Sequence, residues 1–154
     1  MKKLLVILFF TFLAGLVKAQ NGTATSNEYK TAIGIKLWDG AGLNLKTFLS
    51  DKTALEFIGF FNSTGTRITG LYEIHGNLST EGNLKWYIGF GGHASLYKKL
   101  GTGGGIDGVL GVDYKFNNMP LNLALDWQPS VEVGVSTLNG FVGSYGGLAI
   151  RYTL

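Results

Sequence analysis

From Tyr29 to the carboxyl end, apolar and polar residues alternate with a period of two in every segment, and few architectures tolerate that pattern throughout. At this spacing successive side chains leave a strand on opposite faces. The alternation predicts eight strands: Tyr29 to Leu37, Leu43 to Leu49, Ala54 to Phe61, Ile68 to His75, Leu84 to His93, Ile106 to Tyr114, Leu121 to about Val135, and Val142 to Leu154. Turn chemistry separates them, as at Asp39-Gly40, Asn62-Ser63-Thr64-Gly65-Thr66 and Asn117 to Pro120. Pro129 lacks an amide N–H and marks a bulge, or the end of the lower half of the seventh strand. No segment carries a helical repeat, so the expected class is all-β.

The 154 residues suit one domain. With 45% apolar and 15% charged residues the chain can cover a large apolar surface, which argues against disorder. The absence of Cys excludes a disulfide framework and a thiolate metal site. Met1-Lys2-Lys3, the apolar run Leu4 to Leu16 and the small residues before Gln20 have the three-part layout of a secretory signal peptide. The apolar run is shorter than the roughly 20 residues that a spanning helix needs. The expected organisation is therefore a signal over 1–19, a leader over 20–28 and a barrel over 29–154. Without Lys2, Lys3 and Lys18 the remaining chain has ten basic and ten acidic residues, so its basic character gives no reason to expect a nucleic-acid partner.

Function turns on which face looks inward. A soluble barrel fills its interior with the apolar face, whereas a membrane barrel turns that face to lipid and encloses the other. The polar face carries Lys30, Lys36, Lys46, Lys85 and Arg151 against Glu56, Glu73, Asp107, Asp113 and Asp126, together with His75 and His93. It is also rich in Gly and Ala, and eight strands leave so little interior that small residues must alternate with long ones. The apolar face places Tyr29, Phe57, Phe61, Tyr72, Trp86, Phe90, Tyr114, Trp127 and Tyr152 where rings would meet lipid, many near strand ends as in an interfacial girdle. These features favour an eight-stranded antiparallel up-and-down transmembrane β-barrel whose charges neutralise one another in the lumen.

The stretches Gly105-Ile106-Asp107-Gly108-Val109-Leu110-Gly111-Val112-Asp113-Tyr114 and Pro120-Leu121-Asn122-Leu123-Ala124-Leu125-Asp126-Trp127-Gln128-Pro129, with the final Gly147 to Leu154, resemble strands of small outer-membrane β-barrel proteins of Gram-negative, Bacteroidota-type bacteria. That resemblance implies an outer-membrane location, contact with outer-membrane lipid and a closing strand read by the barrel-assembly machinery. The family usually ends in an aromatic residue; here the last residue is Leu154 and Tyr152 supplies the nearest ring.

Candidate sites each have a plain alternative. His93, Ser95 and Asp107 supply a base, a hydroxyl and an acid, and their order looks like that of lipid A deacylase barrels, with Asp for the usual Glu. Parity aims them at the lumen, away from a lipid substrate, so a polar lumen network is the favoured reading. His75 and Glu73 share a face, but no third metal ligand is nominated, and neither metal nor cofactor is expected. Gly103-x-Gly105-x-x-Gly108 matches a dinucleotide fingerprint yet leads into a strand, so Gly101 to Gly105 reads as a loop. The outward loops are predicted at Trp38 to Gly42, Asn62 to Arg67, Ser95 to Gly104 and about Ser136 to Gly140. Eight strands leave no continuous channel. The expected function is a non-enzymatic structural or interaction role in the cell envelope. The alternatives are an acyl hydrolase or a soluble exported barrel that binds small apolar ligands.

Overall fold

Ten short strands form a ring of eight staves. The computed structural model describes residues 29–99, 101–134 and 140–154; the predicted signal and leader lie outside these residues. The strands are β1 Thr31–Trp38, β2 Gly40–Ser50, β3 Thr53–Phe61, β4 Gly65–Asn77, β5 Leu84–Tyr97, β6 Gly101–Lys115, β7 Leu121–Trp127, β8 Ser130–Val133, β9 Gly140–Val142 and β10 Gly146–Thr153. All pairings are antiparallel. Sheet order runs β5-β4-β3-β2-β1-β10-β7-β6, and β5 pairs with β6 to close the barrel. No helix occurs among the described residues.

The ring is staggered as closure requires. Stepping from Ile35 through directly paired residues on β2, β3 and β4 leads to Ala94 on β5. Stepping the other way, through β10, β7 and β6, leads to Leu84, ten residues lower on the same strand. Such a shear tilts strands by about 35–45° and leaves an interior that side chains can fill.

Two staves are interrupted. β7 and β8 are two parts of the seventh, broken at Gln128 and Pro129, and both pair with β6 in one continuous register. Pro129, which cannot donate, instead accepts: the Gly108 amide donates to its carbonyl at 2.8 Å. β9 and β10 form the eighth stave, with one extra residue inserted around Gly143 to Tyr145 relative to β7 and β8.

The predicted loop Ser95 to Gly104 is corrected by this pairing. Gly101, Gly103, Gly104 and Gly105 are strand residues opposite Tyr97, Ser95, Ala94 and His93. Glycine there reflects close packing as well as turning: a Cβ on Gly105 would lie 2.7 Å from His93 Cε1 and closer still to the Val131 carbonyl. The predicted loops Trp38 to Gly42 and Asn62 to Arg67 shrink similarly, since only Asp39 separates β1 from β2 and Gly65 to Arg67 already belong to β4; of the loop at about Ser136 to Gly140 all but Gly140 lies outside the described residues.

Candidate functional site

The lumen is the only part of this molecule where ionisable groups converge among the described residues, and its lining follows from strand parity. Every second residue of β4 faces in, giving Arg67, Thr69, Leu71, Glu73 and His75, all buried. On β6 the inward set includes Asp107, Val109 and Asp113; across β7 and β8 it is Asn122, Ala124, Asp126, Gln128, Ser130 and Glu132. The outward set is apolar: Phe57, Ile88 and Leu125 are about half exposed, at 45%, 51% and 55%. The interior is therefore polar and the exterior greasy, the reverse of a soluble barrel.

Near the end that carries the chain termini, Arg151 anchors one layer. Its guanidinium donates to Glu56 at 2.7 Å and Asn122 at 2.9 Å, contacts Asp113 at 3.4 Å, and also reaches Asn44. Lys46 lies 2.8 Å from Glu73 and 3.7 Å from Asp113, and its ammonium sits 4.1 Å from the centre of the Tyr87 ring. His75 Nε2 is 2.9 Å from Glu73 Oε2, and its ring stacks on Tyr87. In the middle, Lys36 pairs with Asp126 at 2.7 Å, and the Tyr87 hydroxyl donates to the same carboxylate at 2.7 Å. Charges removed from water persist only when paired and hydrogen-bonded, and these groups are paired with one another.

The layer near the opposite end, where β1–β2, β3–β4 and β5–β6 turn, is built on Arg67. It pairs with Asp107 and, at 2.7 Å, with Glu132, while the Tyr145 ring covers its guanidinium at 4.1 Å. His93 lies between the same two acids, Nδ1 at 2.8 Å from Asp107 and Nε2 at 2.9 Å from Glu132. Ser95 is buried nearby, and its hydroxyl has no hydrogen-bond partner. Thus His93, Ser95 and Asp107 share the lumen, but both imidazole nitrogens face carboxylates and neither is aimed at Ser95. A nucleophile needs its base within hydrogen-bond reach, and this arrangement does not supply that.

Several sequence expectations need correction. Lys30 is exposed outside the network, because it precedes β1. Lys85, by contrast, keeps the inward parity expected of it, half-buried opposite Asp113 with its ammonium 5.3 Å from the Phe48 ring centre. Tyr29 does not face outward: its hydroxyl donates to Asp113 at 3.2 Å and its ring meets Phe48 edge-on, so it caps the lumen. Burial, reinforced by the Asp113 carboxylate, pushes that phenol above its ordinary range and keeps it a donor. The remaining rings expected on the outside do lie there: Phe57, Phe61, Trp86, Phe90, Tyr114, Trp127 and Tyr152 are exposed, and Tyr72 is half-buried against Phe90.

Arg67, Glu132, Asn44, Asn122 and Tyr87 are lumen residues that were not singled out as site members. The signal was present, since Arg67 has the parity of Glu73, and Glu132 that of Asp126. Arg67 falls in the predicted loop Asn62 to Arg67, one residue before the predicted start of strand four, and Glu132 lies beyond the break that Pro129 marks in strand seven.

Between the Arg67 layer and the middle layer lies a cavity of about 30 Å³, lined by Lys36, Trp38, Ile58, Phe60, Arg67, Thr69, Gln128, Tyr145 and Gly146. That volume suits a water or two, not a solute-sized passage. No group of three or more His, Cys, Asp or Glu positioned to hold a metal occurs among the described residues.

No family model matches the sequence, and no curated protein matches it. Among solved structures the chain is similar in fold to the N-terminal β-barrel domain of Pseudomonas aeruginosa OprF, with a TM-score of 0.57 and 14% identity over 84% of this chain and 98% of that one. At that identity the likeness establishes shared architecture: a closed, eight-stranded antiparallel barrel.

Proposed function

We propose that this chain is a non-enzymatic outer-membrane β-barrel with a filled lumen, serving as a structural or interaction element of a Gram-negative envelope. One observation carries the reading: buried Lys, Arg, Asp and Glu occupy the centre while Phe57, Ile88, Leu125 and their neighbours face outward around the ring. Hydrocarbon accepts such a surface and water does not, and a closed ring leaves few backbone groups unpaired in lipid. The likeness in fold to OprF's barrel domain supports the closed eight-stranded architecture that this reading requires. Export by residues 1–19, a Bacteroidota-type source and delivery by barrel-assembly machinery that reads β10 belong to this proposal. The packed lumen suits a scaffold better than a general pore, and the engagement of His93 with Asp107 and Glu132 leaves acyl hydrolysis without an aligned base.

Fractionation of expressing cells, followed by gels of boiled and unboiled detergent extract, tests the proposal. The expected result is a compact, heat-modifiable band in the outer-membrane fraction. Recovery as a soluble periplasmic species without detergent contradicts it. Unchanged lipid A mass spectra after His93→Ala or Ser95→Ala are expected; an altered acyl pattern would restore the hydrolase.

A further inference from the structure

Three aromatic rings gather around the cavity beside Arg67. Trp38 and Phe60 have the parity of the inward residues Lys36 and Ile58 on β1 and β3, and Tyr145 comes from the irregular stretch just before β10. All three line the cavity, and Trp38 is still 57% exposed, which puts this space at the edge of the barrel where β1 turns back. The rings are fixed in place. The Trp38 indole donates to the Ser144 carbonyl at 2.6 Å, and the Tyr145 ring lies over the Arg67 guanidinium at 4.1 Å. Phe60 fills the room left by Gly42, where a Cβ would come within 2.8 Å of its ring.

The polar part of the lining has hydrogen-bonding capacity to spare. Thr69 and Gln128 are both buried. Among the described residues the Thr69 hydroxyl meets only Arg67 Nε, at 3.4 Å, and the Gln128 side-chain amide meets only Lys36 at 3.5 Å and Asp107 at 3.4 Å. Contacts of that length are weak, so each group can still donate and accept. Lys36 and Arg67 also line the cavity, but Asp126, Asp107 and Glu132 already match their charges, and no carboxylate belongs to the lining. A free ion gains little where the charges are cancelled. A neutral hydroxyl, which both donates and accepts, gains more, and the volume admits one in place of a water.

Aromatic walls around a hydroxyl-sized polar floor match a sugar, whose ring has C–H groups on its faces and hydroxyls on its edge. We propose that this mouth binds one neutral hexose ring, a hydroxyl entering the cavity toward Thr69 and Gln128 and a C–H face resting on the Trp38 ring. The inference goes beyond the scaffold reading, because it gives the barrel a ligand, and it requires only the folded barrel.

Saturation-transfer NMR of the full chain in sugar-free zwitterionic micelles, with the methyl glycosides of glucose, galactose and mannose as probes, tests it. At least one glycoside should receive saturation at its ring protons, with a Kd on the order of 1–10 mM. Trp38→Ala should weaken that binding by about tenfold, while Trp38→Phe, which keeps a ring face, should lose far less. Thr69→Val, which keeps the shape and removes the hydroxyl, should weaken it several-fold. Trp86→Ala, on the outer wall toward the opposite end, should leave it unchanged, and neither sodium chloride nor choline should compete. A free hexose and the end of a glycan chain share this chemistry, and tighter binding of maltoheptaose than of methyl glucoside would identify the chain end. Failure of all these glycosides to bind, binding indifferent to Trp38→Ala, or displacement by salt overturns the site. Gel heat-modifiability of the same samples separates the two claims: a folded barrel that binds no hexose removes only this inference, while a chain that binds one yet stays soluble without detergent keeps the site and removes the membrane reading.

Discussion

Arg151 illustrates how a charge is kept at the centre of this molecule. It is fully buried, and its hydrogen bonds go to Glu56, Asn44 and Asn122, which β3, β2 and β7 deliver from three directions. Such pairs add little over an apolar filling, but removing one partner strands the other, at a cost of about 3–5 kcal/mol. Arg151→Met should therefore lower the unfolding free energy in vesicles by about that amount, measured by urea titration. Adding Glu56→Gln should recover part of it, and strict additivity of the two changes would show that the pair is not coupled. Space is equally constrained at Gly111, where a Cβ would lie 2.5 Å from the Tyr87 ring. Tyr87 is held by Asp126 and His75 and cannot swing aside, so Gly111→Ala should cost about 1–3 kcal/mol in the same titration.

At the level of single strands, the unusual feature is the pair of interruptions in the last two staves. They free backbone carbonyls on a wall that faces lipid, and two exposed tryptophans satisfy them: the Trp38 indole donates to the Ser144 carbonyl at 2.6 Å and the Trp127 indole to that of Gly143 at 2.8 Å. Replacing both with Phe keeps the rings but removes the donors, and should destabilise by about 1–3 kcal/mol per bond. Amide exchange at Gly146 and Gly147 should accelerate; unchanged exchange there would show that the indoles are bystanders. Parity made the strands themselves legible, because a fixed period of two needs no tertiary information. It identified Lys36, Lys46, Glu56, Glu73 and Asp126 as facing one way. It failed where composition overrode it: the glycines from Gly101 to Gly105 read as a loop although Gly105 is needed beneath the His93 ring. It failed again at Tyr29, where the chain has not yet entered β1 and alternation does not apply. Which acid each cation meets depends on the ten-residue stagger, and local pattern does not encode that.

Across the whole barrel, the packing is inside out relative to a soluble protein, and stability follows from that inversion. The apolar girdle contributes only when lipid or detergent receives it, whereas the ion pairs need no external partner once the ring has closed. Unfolding should thus be strongly dependent on the amphiphile and weakly dependent on salt, because added ions do not screen buried pairs as they do exposed ones. The most direct test places nitroxide spin labels singly at Phe57, Ile88 and Leu125 in vesicle-reconstituted protein and measures collisions with oxygen, which concentrates in hydrocarbon, and with a water-soluble nickel chelate. The inverted arrangement predicts high oxygen and low nickel accessibility at all three positions. Nickel accessibility equal to that of a label at Lys52, in the turn between β2 and β3, would contradict it.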